Sequence, residues 1–141
     1  MKERGFEILT TDASIKLKAC GKNLEELFIN SLRGVTSCLK SESLLNLKKT
    51  ASQKIEIKVH AVDIPSLLIQ FLTEALAQSD FHSTAFTHVL FKKFGDNFLE
   101  GKLVGSKIGE FDTSVRAISD EVEIEKNHET GLYEAQLVLE V

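Results

Sequence analysis

Apolar and polar positions change their period along this chain in a way that marks most of its elements. Phe6 to Leu9 suits a short first strand. Ile15, Leu17 and Ala19 then alternate with Lys16 and Lys18, the period-two pattern of a strand with one buried face. Gly21 permits a turn, and beyond it the period lengthens: Leu24, Leu27, Phe28, Leu32, Val35 and Leu39 fall on one helical face. Asn23 stands at the N-cap of that helix with Glu26 three residues on, a variant of the capping box in which each side chain satisfies an orphan amide. The sequence repeats the change once. Ile55, Ile57, Val59 and Ala61 alternate with Glu56, Lys58 and His60. Asp63 then caps a second helix, with Pro65 in its first turn, where a missing amide does little harm, and Leu67, Leu68, Phe71, Leu72, Ala75 and Leu76 as its stripe.

From there the chain reads as strands: Ala85 to Phe94, a turn at Gly95-Asp96-Asn97, Phe98 to Val104, Thr113 to Ser119, Val122 to Glu125, a turn at Asn127 to Gly131, and Tyr133 to Glu140. Ser41 to Gln53 is polar and predicts a loop. Gly105 to Asp112, with two glycines, predicts a long mobile loop. These elements define an α+β fold: two amphipathic helices packed on one face of a mixed, mostly antiparallel β-sheet. At 141 residues, one domain over 1–141 is expected, long enough to bury a core without covalent staples.

Composition narrows the class. A net charge of −4 argues against a general nucleic-acid binder, which needs a cationic surface to displace counterions from phosphates. RNA, if relevant, is expected to reach the protein only through a partner. Cys20 and Cys38 form no C-x-x-C pair and no zinc spacing with a histidine, so two reduced, mostly buried thiols are expected. The N-terminus leads into a mixed strand without a long apolar run, which predicts no signal peptide, and no stretch is long enough to span a bilayer. The expected location is cytoplasmic.

Several segments, taken in order, resemble the archease family. Asp12-Ala13-Ser14-Ile15 is similar to that family's N-terminal Asp-x-x-Ile, and Gly21 to Phe28 to its Gly-x-x-Leu-Glu-Glu-Leu-Phe helix start. Asp63 to Leu76 resembles its second helix, with Phe71 in place of tryptophan, Thr73 in place of asparagine, and Glu74 kept. Val115 to Ser119 resembles its Ile-Lys-Ala-Val-Thr strand, and Glu123 to Lys126 with Ala135 to Val141 its last hairpin. The resemblance implies a protein cofactor of a GTP-dependent RNA ligase that joins tRNA halves. It also implies carboxylates that hold a divalent cation, here Asp12 and Glu140, and a functional basic residue, here Arg116. Two histidines of the family pattern are missing: Thr10-Thr11 precede Asp12, and Ser119-Asp120-Glu121 follows the basic strand.

Each of these residues also has a purely local reading. Asp12 suits a turn hydrogen bond, Glu140 a solvated outward position on its strand, and Arg116 a surface ion pair worth little. Functionally, two converging carboxylates call for a cation or a proton between them, and carboxylate oxygens suit Ca²⁺ or Mg²⁺. An arginine can bind a phosphate or a partner carboxylate bidentately. His60, His82, His88 and His128 lack partners at ligand spacing. No catalytic residue is assigned: no nucleophile has a supporting histidine and acid, and no glycine-rich nucleotide motif occurs. With no catalytic residue assigned, the function that the resemblance implies is that of a non-catalytic ligase activator. The alternative is a protein-binding or chaperone-like module on the same fold that lacks the metal site. A metal-dependent hydrolase built on Asp12 and Glu140 would lack a general base.

Overall fold

The computed structural model describes residues 5–11, 14–39, 53–108, 111 and 113–141. In chain order the elements are β1 (Phe6–Thr10), β2 (Ser14–Gly21), α1 (Leu24–Leu39), β3 (Gln53–His60), α2 (Ile64–His82), β4 (Thr84–Phe94), β5 (Phe98–Lys107), β6 (Ala117–Ile118), β7 (Glu123–Lys126) and β8 (Tyr133–Glu140). Both helix starts follow from their caps. The Glu26 amide donates to Asn23 Oδ1 at 2.8 Å, while the Glu26 carboxylate accepts from the Lys22 amide at 3.1 Å. Asp63 Oδ1 accepts from the Ser66 amide at 2.9 Å, and Ser83 in the left-handed region ends α2.

The α+β reading holds, with two refinements. The strands form two sheets, not one: β1-β2-β8-β6, with β7 also on β8, and β3-β5-β4. Every pairing between the described strands is antiparallel. Helix α1 packs against β2 of the first sheet and β4 of the second, and α2 against β3 and β4 with contacts to β6 and β7. One apolar cluster joins the layers. It contains Leu17 and Leu137 from the first sheet, Leu27, Phe28 and Phe71 from the helices, and Phe86 and Leu103 from the second sheet. Leu24 and Leu76, expected in the helical stripes, are only half-buried at their margins.

Three boundaries depart from the sequence reading. Gly105 to Lys107, expected to open a loop, continue β5, because Gly105 lets the backbone of β4 approach: a Cβ there would run into the Ala85 carbonyl oxygen. The strand expected over Thr113 to Ser119 shrinks to β6. Only Ala117 and Ile118 face β8 in register, while the Thr113 amide turns to the Leu39 carbonyl at 3.3 Å. The strand expected over Val122 to Glu125 runs one residue later, where Glu123 to Lys126 meet Gln136 to Tyr133. The loop expected over Ser41 to Gln53 lies outside the described residues except for Gln53, which opens β3; residues 109, 110 and 112 of the second loop also lie outside them.

Candidate functional site

Strand register decides which of the singled-out residues meet. β8 is the shared partner: Ser14 of β2 lies opposite Glu140 on one side, and Ala117 of β6 lies opposite Glu140 on the other. The Arg116 amide donates to the Glu140 carbonyl at 2.8 Å, so these two residues adjoin through the backbone. Alternation on β8 buries Ala135, Leu137 and Leu139 and turns Glu140 outward, exposed, away from the helices. Across from it the β1–β2 connection closes tightly: the Thr11 amide and hydroxyl both donate to the Ser14 carbonyl at 2.9 Å, and the two hydroxyls lie 3.1 Å apart. Asp12 and Ala13, between those two residues in sequence, lie outside the described residues. Arg116, Glu140 and both flanks of Asp12 thus share one end of the first sheet.

Two depressions open around this end. One, of about 710 Å³, runs over the outward face of the sheet, with Lys16 and Lys18 on its floor and Glu7, Asp120, Glu121 and Glu123 on its walls. Val138, two residues from Glu140 on the same outward side, also lines it. The other, of about 400 Å³, lies between α2 and the segment before β6, with Arg116 and Asp80 both on its lining. Sequence reasoning singled out Glu140 and Arg116 but passed over Ser14, Lys16 and Lys18. Their signal was the outward half of the alternation in β2, which serves equally well for a plain solvated face.

Among the described residues the side-chain oxygens at this sheet end are the Thr11 and Ser14 hydroxyls and the Glu140 carboxylate, donors of the kind Ca²⁺ and Mg²⁺ prefer. Among the described residues no group of three His, Cys, Asp or Glu side chains is placed to hold a metal ion, and Asp12 is not one of those residues. The histidines stand apart from this end. His60 stacks near Phe98, His82 meets Phe81 edge-on, and His88 and His128 are exposed. Cys20 is buried and Cys38 half-buried, both unpaired, and burial pushes the Cys38 thiol up to about 11.

Two helices over antiparallel sheets, with β8 linking the first hairpin to the short strand that follows Arg116, define a class that sequence comparison also identifies. The archease protein family (MTH1598/TM1083) matches over residues 6–141, and the chain belongs to that family. Among solved structures, protein 1598 of Methanobacterium thermoautotrophicum is similar at 26% identity and a TM-score of 0.73, covering 98% of this chain and 99% of its own. An archease from Thermotoga maritima, described as a possible chaperone, is similar in fold at 12% identity and a TM-score of 0.64, over 96% of both chains. No curated protein sequence matches the chain. Among the described residues no helix is long and apolar enough to cross a membrane.

Proposed function

We propose that this archease is a non-catalytic cofactor of a GTP-dependent RNA ligase, docking on the ligase and promoting its metal-dependent guanylylation and turnover. One observation carries the reading beyond family membership: β8 brings Glu140, Arg116 and the flanks of Asp12 to the same sheet end. In this reading Asp12 and Glu140 hold a divalent cation, Ca²⁺ or Mg²⁺, which supplies positive charge for phosphoryl-transfer chemistry on the partner. Arg116 meets a phosphate or a carboxylate of that partner. The chain biases the ligase by binding one of its states better than the other.

The test is a guanylylation and multiple-turnover ligation assay with the ligase of the same organism. The native protein is expected to accelerate both steps. Asp12→Ala abolishes the effect with the fold intact, Arg116→Ala weakens it, and Arg116→Lys partly preserves it because the cation is kept. Equal rates with and without the native protein refute the proposal.

A second reading has its own support. Phe81 is 82% exposed at the C-terminal end of α2, a large apolar side chain available to a partner. The description of the Thermotoga maritima relative as a possible chaperone points the same way. Partner binding that survives neutralising Asp12 and Glu140 but fails with Phe81→Ser would favour this module over the cofactor.

A further inference from the structure

The net charge of −4 averages two unlike halves. Strands β3, β4 and β5 carry Lys54, Lys58, Lys92, Lys93, Lys102 and Lys107 against Glu56 and Glu100, which leaves +4 on three strands and −8 on the rest of the chain. Alternation collects most of this charge on one face. Ile57, Val59, Leu99 and Leu103 are buried towards the helices, while Lys54, Lys58 and Lys102 are exposed on the other side. On β4, Lys92 and Lys93 are exposed as well. Register sets Lys58 opposite Glu100, Lys102 opposite Glu56, Lys54 opposite Val104, and His60 opposite Phe98, so the lysines outnumber the two carboxylates on this face. The face holds a shallow depression of about 750 Å³.

The acidic residue at its centre is already matched. Glu100 pairs with Lys58 at 3.3 Å and lies 3.9 Å from Lys92. The hydrogen bond from Lys58 holds its carboxyl below the usual range, with the charges of Lys58, Lys92 and Lys93 acting the same way. Between the lysines lie Glu56, exposed on β3, and an apolar strip: Leu90 is 48% exposed, and Phe98 and Val104 are half-buried. The rings of Phe98 and His60 lie 6.4 Å apart and tilted by only 29°. His60 is exposed and Phe98 half-buried, so the pair stands at the solvent side of the sheet.

We propose that the open face of the β3-β5-β4 sheet binds single-stranded nucleic acid, with its lysines on phosphates and the His60–Phe98 stack under a base. Basic residues on every strand with planar and apolar groups between them are what such a ligand needs: charge along the backbone and a π-face for unpaired bases. An acidic polypeptide would satisfy the charge but leave the stack unused. Lysine binds phosphate as a point charge, so the contacts carry little sequence information. Phosphate contacts and base stacking do not distinguish the two sugars, so RNA and DNA single strands are expected to bind alike.

The experiment is fluorescence anisotropy of a labelled mixed-sequence 12-mer, as RNA, as DNA and as a duplex, titrated with the full chain at several salt concentrations. It uses no ligase, so its outcome is independent of the cofactor proposal. Both single strands should bind in a salt-dependent way and the duplex at least several-fold more weakly. The double variant Lys54→Ala/Lys102→Ala should weaken binding and reduce the salt slope by about 1.4, two phosphate contacts at about 0.7 each for a single strand. His60→Ala should cost about ten-fold and His60→Phe should restore it. Lys22→Ala and Lys126→Ala, away from this sheet, should change nothing. No salt-dependent binding, a duplex bound as tightly as the single strand, unchanged affinity in the lysine variant, or displacement by polyglutamate with no effect of His60→Ala would each overturn the proposal.

Discussion

Phe28 joins three elements, so its truncation tests the packing argument directly. Its ring is fully buried on α1, 5.6 Å from the Phe71 ring of α2 and 5.0 Å from the Phe94 ring of β4, edge-on to the latter. Phe28→Ala removes the transfer energy of the ring and leaves a cavity, together about 3–5 kcal/mol. Two ring contacts vanish with it, worth about 0.5–1.5 kcal/mol each beyond simple burial. The walls belong to two helices and a sheet and cannot close inward together, so a cost near the top of the range, about 4–5 kcal/mol, is expected. For a domain of ordinary stability, about 5–15 kcal/mol, that is a large share of the total. Urea unfolding followed by circular dichroism should show the midpoint falling by about 2 M at a slope of about 2 kcal/mol per M. Phe81→Ala is the control: the same deletion at an 82% exposed position should stay within about 0.5 kcal/mol. A Phe28→Ala midpoint as close to wild type as that of the control would refute the assigned core.

The remaining predictions concern two titrating groups. The Ser66 amide, hydrogen-bonded to the Asp63 cap, holds that carboxyl below its usual range. A depressed folded pKa stabilises above the unfolded pKa and loses its effect as pH falls through the folded one, so Asp63→Ala should lower the thermal midpoint at pH 7, with the gap narrowing on acidification below pH about 4. A gap that does not narrow would mean the cap acts without its charge. Burial raises both thiols, Cys38 to about 11, so an aromatic disulfide reagent at pH 8 should label the native chain far more slowly than the urea-unfolded chain; equal rates would show the thiols open to solvent.

Legibility in the sequence followed the range of the forces involved. Both helices were readable because their signals are local: Asn23 with Glu26 and Asp63 with Pro65 fix the starts, and the apolar stripe fixes the face. The strands were readable as segments but not as sheets. Period-two alternation in Ile15–Ala19 and Ile55–Ala61 is identical in kind, and nothing in it says that one pairs with β8 and the other with β5. Glycine misled in one place. Gly105 reads as a loop former, yet it serves a strand where another backbone comes too close for a side chain. For the candidate site, Glu140 and Arg116 were named from resemblance, while their adjacency is a product of long-range register. Net charge concealed the basic sheet, because a sum over the chain discards the alternation that sorts lysines onto one face.

The position of β8 also constrains how the protein can be made. On the ribosome β2 emerges early, with only β1 available on one flank. Its other flank stays an open row of amides and carbonyls until Tyr133 to Glu140 have been synthesised, and β6 and β7 wait for that same strand. The β3-β5-β4 sheet has no such delay, since its strands all lie within residues 53–107 and two of them are joined by a short turn. The nascent chain therefore passes through a stage with one sheet assembled and the other still an exposed edge. That is the stage at which aggregation would begin, and a nonsense or frameshift lesion before Tyr133 would hold the product there.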